Sequence, residues 1–200
     1  MANRLRLEEA GLTYHINANA VDRVPLFRDD IDRMRFFELF AEEVEASEWT
    51  ILDYTFMTTH YHVLLTLKRC TLSSGFHRLQ SRYARAYNRR HARRGVVWQK
   101  RFHDELVESD RHFFEAVRYI ALNAPRAGLA ETAEAWPWCS YGAAIGAYPA
   151  DPLVDERALL ERFSHDVASA RRKLRAYVEE KDPRERWRLT RVRRASDAEK

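Results

Sequence analysis

Two histidines one residue apart, His60 and His62, sit in THYHVLLTL, a stretch that otherwise has the composition of a buried β-strand. Successive side chains on a strand face opposite ways, so His60, His62, Leu64 and Thr66 share one face and Tyr61, Val63, Leu65 and Leu67 the other. Two imidazoles on one face can ligate a single cation, histidine being the commonest nitrogen donor to metals. The same spacing also suits surface or hydrogen-bonded histidines at a strand end. As a metal centre the pair is incomplete: a third donor must come from elsewhere, with positions left open for substrate.

A candidate donor lies in RHFFEAVRYIALN. At about 100° per residue, Phe113, Phe114, Val117, Ile120 and Ala121 form an apolar arc, and His112, Glu115, Tyr119 and Asn123 cluster opposite it. Tyr119 and Asn123 are one helical turn apart. A helix lying flat on a sheet by its apolar arc leaves both in solvent. A helix at the sheet edge brings a phenol and an amide oxygen to the histidine pair. Spacing alone leaves both open.

Charge supplies the second chemical signal. The formal net charge is +4, but between Thr71 and His103 there are nine Arg or Lys residues and no Asp or Glu, so the rest sums to about −5. The acidic run from Asp29 to Glu48 accounts for part of that. Arg78, Arg82, Arg85, Arg89 and Arg93 follow one another at helical spacing and form one stripe. With no acids interleaved in that helix, the stripe points to phosphate binding, with Lys100 and Arg101 just beyond it. Such contacts hold a strand in register without reading bases. Tyr83 and Tyr87 read as core, as does the aromatic segment Trp98 to Phe102, although the latter has the side chains to stack on bases. Arg184 to Arg194 could add nonspecific affinity.

These residues need a scaffold. Two hundred residues, 46% of them hydrophobic, suit one globular domain with a tail. No apolar run reaches membrane-spanning length and the charged N-terminus lacks an apolar signal core, so a cytoplasmic protein without membrane contact is expected. Cys70 and Cys139 are then reduced thiols. Strands are expected over 11–21, 50–56 and 60–67, with a fourth strand or ordered loop within 96–108. Helices are expected after Leu26, over 71–94 with Gly95 as the stop, and from 111 to about Asn123, because Pro125 disfavours helix at Ala124. WPWCSYGAAIGAYP should pack across the domain. The order β-α-β-β-α-β-α implies an α+β sandwich with helices on one face of a mainly antiparallel sheet. We divide the chain into a domain over 1–150 and a helical, basic C-terminal extension over 151–200.

THYHVLLTL resembles the His-hydrophobe-His (HUH) motif of single-tyrosine transposases, and VRYIALNAPRAGL resembles their segment around the nucleophile. YHINANAVDRVPLFRDDIDRMRFFELF, RYARAYNRR, WQKRFHDELV and WPWCSY fit the same family in the same order, over about residues 10–145. The resemblance is closest to the REP-associated tyrosine transposases. It implies a ferredoxin-like, RRM-like core, with His60, His62 and Asn123 ligating Mg²⁺ or Mn²⁺ and Tyr119 as nucleophile. It also implies metal-dependent endonuclease and strand-transfer chemistry on single-stranded or hairpin DNA, by a monomer or a homodimer. A phenol with a pKa of about 10 needs a nearby cation to act as its anion at neutral pH. Three positions depart from the family: Asn19-Ala20 stands for Arg-Gly, Thr58-Thr59 for Pro-Asn, and Asn123-Ala124-Pro125 for Asn-Pro. A hairpin-binding module with little or no cleavage is the alternative reading.

Overall fold

Alternation of side chains along a strand begins the fold. The computed structural model describes residues 8–180. Its first strand, β1 (Thr13–Asn19), turns Tyr14, Ile16 and Ala18 into one core and His15, Asn17 and Asn19 to the other face. Helix α1 (Asp30–Ser47) starts where the Asp29 carboxylate accepts the Asp32 N–H at 3.1 Å, with acids in its first turn set against the positive end of the dipole. Strands β2 (Trp49–Phe56) and β3 (His60–Leu67) form a hairpin, α2 (Leu72–Arg90) follows, and β4 (His103–Leu106) is a short edge strand. The sheet order is β2-β3-β1-β4 with every pair antiparallel, the ferredoxin-like arrangement.

One face of the sheet is closed by α1 and α2. Phe36, Phe40, Phe76 and Tyr83 pack there with Tyr61, Val63, Leu65 and Leu67. Tyr83 and Tyr87 are both buried, their hydroxyls donating to the carbonyls of Leu26 and Pro25 at 2.6 Å each. Phe102 is buried in this core and Trp98 packs against it.

Helices cover the other face too, contrary to the one-sided arrangement expected from element order. Leu52 and Leu64 point that way and must be shielded from water. Helix α3 (Asp110–Ala121) does so through Phe113, Val117 and Ile120. Beyond it come the single turns α4 (Asn123–Arg126) and α5 (Tyr141–Ala144), then α6 (Glu156–Leu160) and α7 (Val167–Glu179). Leu159, Leu160, Leu174 and Val178 join the core beneath α3, and Asp155 N–H donates to the Ile51 carbonyl at 2.9 Å. Packing therefore runs on past residue 150 without a break, to the end of α7. The arginines from Arg184 to Arg194 lie outside the described residues.

Two helix ends differ from expectation. α2 stops at Arg90 rather than near Gly95, and Ala92 takes a left-handed φ of 49°. Arg90 and His91 are held there by the start of α1, Arg90 pairing with Asp29 at 2.7 Å and His91 with Asp32 at 2.9 Å. Pro125, expected to end α3, instead sits inside α4, where the missing N–H costs nothing because a first turn has no partner for it. The break falls at Leu122, so Asn123 begins a new turn.

The segment from Trp136 to Tyr141 runs along the open edge of β2, as Phe56 N–H donates to the Trp138 carbonyl at 2.8 Å. Cys70 is exposed, Cys139 is buried, and both are free thiols. Among the described residues no helix is long and apolar enough to cross a membrane.

Candidate active site

β3 carries His60 and His62 on the face covered by α3, with Asn19 and Asn17 opposite them on β1. His15, one pleat further along β1, reaches diagonally to His62: its Nε2 lies 3.1 Å from His62 Nδ1. His60 contacts Thr59 Oγ1 through Nδ1 at 3.2 Å and Asn123 Oδ1 through Nε2 at 3.4 Å. The two histidine rings stand 5.1 Å apart, centroid to centroid.

Tyr119 completes the group. Its ring meets His62 edge-on at 5.0 Å and His15 at 5.9 Å, yet it remains 44% exposed. Neither of the two helix placements left open by the sequence describes this. The apolar arc of α3 does lie on the sheet, over β2 and β3, and Tyr119 extends from its flank over the uncovered β1 side. Ser109 fixes the start of that helix by accepting the His112 N–H at 3.2 Å. The phenol, the amide and both imidazoles thus converge within a single chain.

Burial makes the three histidines poor bases. It pushes His62 well below the ordinary imidazole range, with the neighbouring His15 and His60 adding to the effect. It lowers His15 to about 4, and it lowers His60 against a smaller opposing effect from Asn123. Neutral imidazoles offer lone pairs at neutral pH. His62 Nε2 is buried without a hydrogen-bond partner, the condition of a nitrogen kept for a ligand. Among the described residues no group of three or more His, Cys, Asp or Glu side chains could hold a metal, so a third donor to any ion held by His60 and His62 would be of another kind. The amide oxygen of Asn123 is such a donor, and two nitrogens with one oxygen suit a divalent ion with open positions. Beside the group lies a cleft of about 460 Å³, lined in part by His15, Asn17, Glu105, Arg118 and Tyr119.

The arginine stripe lies on α2, across the sheet from this site. Its two halves differ. Arg78 binds the buried Glu43 at 2.6 Å and Arg82 pairs with Glu42, both acids belonging to α1. The lack of acids within α2 therefore did not leave this half uncompensated. Among the described residues no ion pair engages Arg85, Arg89 or Arg93, and Arg93 lies over the Tyr87 ring at 5.6 Å. This half points toward the end of the sheet where His60 sits, because α2 runs antiparallel to the strand before it. Lys100 follows at that end, where the preceding Gln99 N–H donates to the Asn19 carbonyl at 2.9 Å and Asn19 pairs with His60, whereas Arg101 lines a groove with Ser73, Ser74 and His77 near the start of α2.

Sequence reading missed His15. The signal was present in YHINAN, where His15, Asn17 and Asn19 alternate with Tyr14, Ile16 and Ala18 as His60 and His62 do with their neighbours.

A family model described as "Transposase IS200 like" matches residues 9–123. A curated Haemophilus influenzae protein that carries the name of a REP-associated tyrosine transposase is 24% identical over 164 residues, covering 76% of this chain and 93% of its own. A solved structure of a REP-associated tyrosine transposase bound to a REP hairpin matches with a TM-score of 0.63 at 20% identity, over 78% of this chain and 94% of that one. At that identity the structural likeness is one of fold. The matched segment runs from the start of β1 through Asn123 and takes in both histidines and the tyrosine, and over more than half of its length this chain belongs to the IS200-like transposase family.

Proposed function

We propose that this protein is a metal-dependent single-stranded DNA endonuclease and strand transferase, acting through Tyr119 on hairpin-bearing, REP-like DNA. One observation carries the reading: Tyr119 stands edge-on to His62 at 5.0 Å while Asn123 Oδ1 lies 3.4 Å from His60 Nε2. The hairpin substrate is carried over from the solved relative, whose own ligand is a REP hairpin.

His60, His62 and Asn123 would hold Mg²⁺ or Mn²⁺, which supplies positive charge to polarise a phosphoryl oxygen and favour the phenolate. Tyr119 Oη attacks phosphorus in line with the scissile bond. The new O–P bond forms as the P–O3′ bond breaks, and O3′ takes the electron pair and a proton. The products are a 5′-phosphotyrosine and a free 3′-OH. Because the phosphodiester becomes a phosphotyrosyl ester, its energy is retained, and a 3′-OH can reverse the attack without ATP. The exposure of Tyr119 beside the open cleft gives a strand access to it. Arg85, Arg89, Arg93, Lys100 and Arg101 hold flanking phosphates.

The test uses labelled hairpin-bearing single-stranded DNA with Mn²⁺ and a denaturing gel. A covalent adduct that disappears in Tyr119→Phe supports the reading. Cleavage that persists in the variant without an adduct supports water as nucleophile. Binding without cleavage supports a hairpin-binding module, a reading favoured by Asn123 standing at the start of a separate turn, one residue further from its proline than in the family pattern.

A further inference from the structure

We propose that His15 is a positioning residue that fixes the tautomer of His62, and this rests on the reading that His62 Nε2 is a metal ligand. His15 Nε2 and His62 Nδ1 lie 3.1 Å apart, and both side chains are buried. A hydrogen bond between two neutral imidazoles holds one proton, and its position decides what the far nitrogens can do. With the proton on His62 Nδ1, that nitrogen donates to His15 and His62 Nε2 keeps a lone pair. With the proton on His15 Nε2, His62 Nε2 must carry a proton of its own and cannot ligate.

His62 Nε2 is buried with no hydrogen-bond partner in the protein. An N–H there would be a buried orphan donor, the costlier arrangement. A lone pair there is available to a cation. His15 must then carry its proton on Nδ1. Glu105, its cross-strand partner on β4, lies on the opposite side of β1 from His62 and lines the same cleft, its carboxylate 3.5 Å from His112 Nε2. The arrangement follows the general rule that a ligating histidine uses its second nitrogen to fix ring orientation and tautomer.

The experiment reads the tautomer without metal and the affinity with Mn²⁺ alone. Two-bond ¹H–¹⁵N spectra of histidine-labelled, metal-free protein, assigned by the signals missing in His62→Gln, should show His62 protonated on Nδ1 in the wild type. In His15→Leu the fraction with Nε2 protonated should rise, and Mn²⁺ affinity by calorimetry should fall about 10–100-fold. His15→Gln, which restores an acceptor oxygen, should recover affinity to within a few-fold. A wild-type His62 protonated on Nε2 overturns the proposal, as does a folded His15→Leu with unchanged tautomer and Mn²⁺ affinity. If His15→Leu does not fold, the wild-type spectrum and His15→Gln decide. Wild-type protein that binds no Mn²⁺ overturns the metal reading itself, and the metal-free tautomer separates that failure from a failure of His15.

Discussion

Tyr119 and His62 meet at 5.0 Å with their ring planes at 85°, although one belongs to a helix and the other to a strand. The contact follows from how the helix is seated. Phe113, Val117 and Ile120 anchor α3 on Leu52 and Leu64, which sets the rotation of the helix and projects Tyr119 over β1 and β3. Hydrophobic packing, rather than any bond to the phenol itself, fixes the reach of the candidate nucleophile.

Separation of the histidine site from the basic half of α2 predicts that chemistry and affinity can be uncoupled. His60→Ala should abolish cleavage of hairpin DNA while leaving its affinity within a few-fold, since phosphate contacts supply most of the binding energy. Gel-based cleavage and fluorescence anisotropy on the same preparation check this. A large loss of affinity would contradict the division of labour.

The stripe itself should behave as two groups. Arg85→Ala, Arg89→Ala and Arg93→Ala should each weaken DNA binding and reduce the slope of log K against log[salt] by about 1. Arg78→Ala and Arg82→Ala should leave that slope near its wild-type value. Arg78→Ala should instead cost about 1–3 kcal/mol of stability, because Glu43, whose side chain is 3% exposed, loses its cationic partner. Salt titrations and urea unfolding distinguish the two behaviours.

A buried carboxyl away from the site predicts a pH effect on stability. Asp53 follows the irregularity between β2 and β3, and Ser140 Oγ donates to its Oδ1 at 2.5 Å. Burial raises its pKa from an ordinary 3.8 to about 7, against the opposing hydrogen bonds. A raised folded-state pKa contributes stability below the unfolded value, and this is lost as pH rises through the folded one. The stability advantage of Asp53→Asn should therefore grow between pH 3.8 and about 7 and level off above. His15, lowered to about 4, acts in the opposite sense, its contribution present above 6.5 and lost as pH falls. Its effect cancels when variant and wild type are compared at each pH. An advantage of Asp53→Asn that is independent of pH would contradict the assignment.

Much of this arrangement was legible in the sequence. The β3 bounds and the two-residue histidine period were readable because strand alternation is a local property. Tyr119 and Asn123 were readable as near neighbours from their four-residue spacing, but the break at Leu122 that puts Asn123 in a separate turn was not. Pairing between elements was not. That His15 lies diagonal to His62 depends on the β1–β3 register, which no local pattern encodes. That Glu42 and Glu43 take two of the five stripe arginines depends on α1 packing beside α2. The acidic run and the basic block were each visible alone, and only the fold shows them to be partly each other's partners. Helix placement on both faces likewise followed from Leu52 and Leu64, whose direction only the sheet reveals.

The central claim is that Tyr119 forms the bond to DNA. Mass spectrometry of the protein after reaction with hairpin DNA and Mn²⁺, followed by nuclease and protease digestion, tests it directly. The account predicts a nucleotide attached through its 5′-phosphate to the peptide containing Tyr119, and to no other peptide. An adduct on a different residue, or efficient cleavage with every tyrosine unmodified, would contradict it.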